Sequence, residues 1–145
     1  MSRRIRTFFY GSYMNPAVLA DVGVRPATFE VARPDGFDIT IAPRANLVPE
    51  SGASVYRVLA EATHEELGRL YTHARDVLGE TYMPEPVLVQ TADLKWRAAL
   101  CYLAAVMESR PPERAYVERI VAAARRFEFP SWYLEKLAGF LPPAT

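Results

Sequence analysis

Apolar residues run without interruption through Phe8-Phe9-Tyr10 and stop at Gly11, and Asn15-Pro16 follows almost at once as a helix-start signal. The pattern predicts a strand over residues 6 to 10, a tight loop, and a short helix from Asn15-Pro16 to Asp21 ended by Gly23. Alternation in Thr28-Phe29-Glu30-Val31 and in Phe37-Asp38-Ile39-Thr40-Ile41, with Pro34-Asp35-Gly36 between them, predicts a hairpin. Phe37, Ile39 and Ile41 should face a barrel interior and Asp38 and Thr40 away from it, because side chains alternate along a strand. Pro43 and Pro49 break the segment that follows, and Val55 to Leu59 reads as another strand.

The second half is mixed. Thr63-His64-Glu65-Glu66 fits a capping box, and Leu67, Leu70, Tyr71, Ala74 and Leu78 recur at helical spacing up to a stop at Gly79. Leu67, Leu70 and Leu78 should therefore be buried together. Val87 to Val89 and Trp96 to Leu103 read as strands joined by a turn near Ala92-Asp93. A helix follows from Glu113 to about Phe127, and a last short one runs from Pro130-Ser131 through Leu137. No repeat or linker interrupts the series, so residues 1–145 read as a single α+β domain with about six strands and three or four helices.

Composition narrows the function classes. Lys plus Arg and Asp plus Glu number 17 each, so no net field draws nucleic acid or an anionic membrane to the chain. Arg3, Arg4 and Arg6 read as solvent-facing charges. Cys101 is the lone cysteine, set in an apolar run, which fits a buried thiol and a reducing, cytoplasmic setting. No apolar run approaches the ~20 residues that span a bilayer. His64 and His73 lack a third ligand at zinc spacing, so no metal site is expected, and neither a glycine-rich nucleotide loop nor a Gly-x-Ser-x-Gly elbow occurs.

The candidate chemistry sits in the first loop. Gly11 lets the backbone take positive φ or approach a ligand closely, Ser12 adds a hydroxyl beside it, and the N–H groups of Ala17 and Val18 should open onto the same loop. Taken alone, this is also how an ordinary strand-to-helix turn reads.

The order of the pieces carries a resemblance. Tyr10-Gly11-Ser12 after a first strand, a strand ending in Val58-Leu59, the Thr63-x-x-x-Leu67-x-x-Leu70 helix, and Tyr82 before a Val-rich strand resemble the γ-glutamylcyclotransferase-like family. The closing segments, Tyr116 to Ala124 and Phe129 to Leu137, resemble that family too. The resemblance implies a small mixed β-barrel whose open end holds the Tyr-Gly-Ser loop, with no cofactor. It implies a small-molecule ligand, a γ-glutamyl or amino-acid-derived carboxylate, bound through Tyr10, Gly11, Ser12, Tyr13 and Tyr82. In the family, an acid promotes attack of the substrate's α-amine on its own side-chain amide, giving 5-oxoproline and a released amine.

The chain departs from the family pattern at the acid. Where the family reads Leu-Asp-x-x-Glu, this chain reads Leu70-Tyr71-Thr72-His73-Ala74, and Arg57 stands where a glycine is usual. A methyl group moves no proton. Asp76 lies about 200° around the helix from Ala74 and His73 about 100°. Glu80, just past the expected helix stop, is the best substitute catalytic carboxylate, and Glu85 is a weaker version of the same idea. If neither serves, the chain is a non-catalytic binder of the same class of ligand.

Overall fold

The computed structural model describes residues 3–33, 35–91 and 93–143. Among the described residues, seven strands and four α-helices follow one another as β1 (Arg4–Phe9), α1 (Pro16–Asp21), β2 (Glu30–Arg33), β3 (Asp35–Ile41), β4 (Ala45–Ser54), β5 (Arg57–Thr63), α2 (His64–His73), β6 (Met83–Thr91), β7 (Trp96–Leu103), α3 (Arg114–Arg126) and α4 (Ser131–Ala138). A 3-10 turn, Gly11–Met14, joins β1 to α1, and a π-helical stretch, Ala74–Leu78, extends α2. Five strands close into a barrel in the order β1-β5-β2-β6-β7. Four of its ladders are antiparallel, and β7 returns to β1 in parallel, which makes the barrel mixed.

Register shows which side chains fill the barrel. On β6 and β7 the positions of Val89, Ala99 and Cys101 are buried, whereas Leu88, Trp96 and Ala98 are exposed. The first set therefore points inward. Phe8 lies beside Cys101 and opposite Leu59, so it shares that inner face, and Arg57, two residues before Leu59 and opposite Ala32, shares it as well. The outer faces of β1 and β5, carrying Phe9, Val58, Ala60 and Ala62, are also buried, and α2 packs against β5.

Local signals placed most elements within a residue or two. Asn15 caps α1 by accepting from the Ala17 N–H at 3.0 Å. At the start of α2 both halves of the capping box form, Glu66 N–H to Thr63 Oγ1 at 3.1 Å and Thr63 N–H to Glu66 Oε1 at 2.9 Å. Thr63→Ala should cost about 1 kcal/mol, read from chemical denaturation. Leu67 and Leu70 are buried and Leu78 is half-buried against the same core.

The expected hairpin between residues 28–31 and 37–41 does not form. Instead β2 pairs with β5 and β6, while β3 pairs with β4 in a separate two-stranded sheet. Of the expected turn, Pro34 lies outside the described residues, and Gly36, at φ 88°, sits where the β3–β4 register shifts. The Asp-Gly signal thus serves a bulge, which also needs a left-handed glycine, and does not reverse the chain. Ile39 and Ile41 are buried and Phe37 half-buried as expected, but their strand lies outside the barrel, so they do not line its interior.

Two strands carry proline in their interior. Pro49 lies within β4, opposite Phe37, and is tolerated because a strand of a two-stranded sheet has a free edge. Pro84 and Pro86 lie within β6, where β2 reaches only Gln90 and Thr91, so this stretch has an unpaired side as well. Of the expected turn near Ala92-Asp93, Ala92 lies outside the described residues. Among the described residues, no helix is long and apolar enough to cross a membrane.

Candidate active site

The Tyr10–Met14 segment begins where β1 ends. Tyr10 is still extended, at φ −138° and ψ 167°, and Gly11 turns the chain with φ 67°. A Cβ on Gly11 would stand 2.4 Å from the Ala45 Cβ, so the missing side chain is what lets β4 lie against the loop. The Asn15 N–H bonds Ser12 O at 3.0 Å and closes the turn. Because the Asn15 side chain takes the Ala17 N–H, that donor is held in the helix cap and does not open onto the loop.

Against this loop lies a narrow pocket lined by six tyrosines (Tyr10, Tyr13, Tyr71, Tyr82, Tyr102 and Tyr116) together with Ser12, Ala45 and Leu78. Its free volume is about 20 Å³, room for little more than one water. Tyr71 stacks on Tyr102 with centroids 3.7 Å apart and planes 11° from parallel, and Tyr13 meets Tyr71 edge-on at 5.6 Å. The hydroxyls are anchored to main chain. Tyr10 donates to Tyr102 O and Tyr82 to Ala45 O, both at 2.6 Å, and Tyr13 donates to Leu70 O at 3.1 Å. His73 Nδ1 lies 3.1 Å from the same Tyr13 oxygen. Since that hydroxyl proton goes to Leu70, the His73 Nδ1–H is the donor between these two.

Tyr116 is used in the opposite sense, accepting from the Ala45 N–H at 2.8 Å. Burial pushes the hydroxyls of Tyr10, Tyr13, Tyr71 and Tyr82 well above the ordinary tyrosine range and raises that of Tyr116, so these phenols are neutral at physiological pH. Burial likewise pushes the Cys101 thiol up to about 11. Cys101 should therefore resist alkylation at pH 8 in the native protein and react once the protein is unfolded, as an iodoacetamide time course followed by mass spectrometry will show.

Of the residues singled out in the sequence, Tyr10, Ser12, Tyr13 and Tyr82 line the pocket, and Gly11 shapes it from behind. Glu80 is not among the lining residues. Ala74 is fully buried at the end of α2, and its carbonyl accepts from both the Gly79 and Glu80 N–H groups, the latter at 3.1 Å. This hydrogen bond folds Glu80 back beside Ala74. The Glu80 side chain is 8% exposed, with Arg110 Nη2 3.9 Å from Oε1. It lies near enough to Tyr82 to add, after burial and Tyr116, to the upward push on that hydroxyl.

Glu85 is exposed on β6 opposite Cys101, in a separate groove of about 550 Å³ that also touches Asn46, Met83 and Leu103. Asp76 is exposed and paired with Arg75 at 3.0 Å. Among the described residues no three His, Cys, Asp or Glu side chains converge on a metal position. Three pocket tyrosines escaped the sequence reading as site residues. Tyr71 showed as a helical core position and where the family's aspartate is usual, Tyr116 in a closing segment that resembles the family, and Tyr102 only as part of a strand, and nothing local indicates that the three meet.

A closed mixed barrel with a pocket where its first strand turns into a helix is an α+β architecture. Comparison with solved structures gives that architecture a name. A γ-glutamyl cyclotransferase superposes with a TM-score of 0.83 at 24% identity, over 99% of this chain and 91% of that one. The human protein loc79017 superposes at 0.84 with 24% identity, over 98% and 90%. A yeast γ-glutamyl cyclotransferase specific to glutathione superposes at 0.65 with 13% identity, over 97% and 96%. No protein-family model and no curated protein sequence matches the chain. The chain has the γ-glutamylcyclotransferase-like fold.

Proposed function

We propose that this protein acts on a small γ-glutamyl compound, cyclising it to 5-oxoproline with release of an amine or amino acid. The observation that carries this reading is the placement of Glu80, whose N–H bonds the Ala74 carbonyl and whose buried carboxylate is within electrostatic reach of Tyr82 of the pocket. A carboxylate there replaces the one that Ala74 lacks. The substrate's neutral α-amine attacks the γ-carbonyl carbon, a new C–N bond closes the five-membered ring, and Glu80 takes the proton that the attacking nitrogen sheds. The old amide C–N bond then breaks as Glu80 returns the proton to the leaving nitrogen. N–H donors of the Gly11–Tyr13 turn hold the carbonyl oxygen as it gains charge. Since the free volume is about 20 Å³, a γ-glutamyl group requires the tyrosine walls to part on binding.

A second reading, binding without cyclisation, is favoured by one observation: none of the nine residues lining the pocket carries a carboxylate. Release of 5-oxoproline from γ-glutamyl amines and γ-glutamyl amino acids separates the two. Turnover supports the first reading, and saturable binding of 5-oxoproline without turnover supports the second. Neither turnover nor binding removes both.

A further inference from the structure

Among the described residues, the inner face of the barrel holds a charge with no counter-charge. Arg57 is fully buried, and none of its three guanidinium nitrogens has a hydrogen-bond partner. Among the described residues it also has no ion-pair partner. Its guanidinium lies over two aromatic faces, 4.7 Å from the Phe8 centroid and 4.6 Å from that of Tyr10. Ring faces attract a cation, but they do not replace the hydration that a buried one has given up. The titratable neighbours offer no negative charge either. Burial pushes up the Cys101 thiol and the Tyr133 and Tyr10 hydroxyls, all of which therefore stay neutral at physiological pH.

Tyr10 links this cation to the pocket. The ring that Arg57 covers is also part of the pocket wall. A second cation, Arg44, lies over Tyr116 at 4.8 Å, and Tyr116 is another wall residue. Two arginines thus lie over rings of residues in a wall that carries no acid. An isolated buried charge is strongly unfavourable unless something neutralises it, and the pocket is the adjoining space that an anion can occupy.

We propose that Arg57 is the specificity-determining residue of the pocket: its unneutralised charge, one aromatic ring from the ligand, selects a ligand that carries a carboxylate, and that carboxylate supplies the missing counter-charge. The proposal rests on the reading that the pocket takes a small γ-glutamyl-type ligand, and it adds the source of discrimination. Direct contact is not required. Opposite charges about 8 Å apart at an effective dielectric near 20 alter affinity roughly thirtyfold.

The test compares 5-oxoproline with its neutral carboxamide, 5-oxoprolinamide, by isothermal titration calorimetry. The native protein should bind the carboxylate at least tenfold more tightly. Arg57→Met should bind the two compounds alike and, without ligand, melt no lower than the native protein, because an unpaired buried charge has been replaced by an apolar side chain of similar length. Arg57→Lys, which keeps the charge, should keep the preference. Should the methionine variant fail to fold, Arg57→Gln takes its place in the comparison with lysine. A tenfold preference that survives in the neutral variant overturns the proposal. Equal binding of both compounds by the native protein also overturns it while leaving the pocket reading intact, whereas binding of neither removes the pocket reading and this proposal together.

Discussion

Glu80→Gln should lower kcat for 5-oxoproline release by about 10²–10⁴-fold, the usual contribution of a positioned acid–base group. The substitution keeps the size and shape of the side chain and leaves the Glu80 N–H bond to Ala74 in place. A stability loss is therefore not the expected cause of lost activity, and unchanged thermal denaturation checks this. KM should move little, because the amide still fills the same space and only the proton transfer is removed. Glu85→Gln is the control, since Glu85 opens into a different groove, and it should retain native turnover. A Glu80→Gln variant that turns over as fast as the native protein would assign the proton transfer to another group.

The second large effect is on stability. Gly11→Ala should cost about 2–6 kcal/mol in chemical denaturation, from two sources. A side chain at φ 67° is strained by about 1–3 kcal/mol. The added methyl also meets the Ala45 Cβ at 2.4 Å, an overpacking worth about another 1–3 kcal/mol. Ala45 cannot simply withdraw, because Tyr82 and Tyr116 hold its carbonyl and its N–H. Adding Ala45→Gly to Gly11→Ala should recover the clash and leave the strain, so the cycle of four proteins should show a coupling of about 1–3 kcal/mol. A Gly11→Ala loss below about 1 kcal/mol would mean that β4 moves aside freely.

What could be read from the sequence follows the range of the physics behind each signal. The Gly11 turn, the Asn15 cap of α1, the Thr63–Glu66 capping box and the stop at Gly79 depend on neighbours within a few residues, and each appears where it was expected. Strand pairing depends on distant partners. The Asp35-Gly36 pair fits a reversal or a bulge equally well, and only the competition for β2 between β3 and the barrel strands decides. The site divides in the same way. Tyr10, Ser12 and Tyr13 are contiguous, and Tyr82 came with the family resemblance, whereas Tyr71, Tyr102 and Tyr116 are brought in by α2, β7 and α3. Arg57 stood out only as a departure from the family's usual glycine, and its inward placement shows only through its register with Leu59 and Phe8.

The anchoring of Ala45 bears on how this site can change over evolutionary time. The polar groups that residue 45 contributes to the pocket belong to the peptide backbone, clasped on one side by the Tyr116 hydroxyl and on the other by the Tyr82 hydroxyl. Every amino acid except proline brings the same N–H and C=O. A mutational survey of position 45 therefore reports steric tolerance alone, and the chemical identity of this wall is written at positions 82 and 116. Loss of either phenol oxygen leaves a buried peptide group without a partner, so drift at those two positions is resisted by folding itself, whatever ligand the pocket accepts.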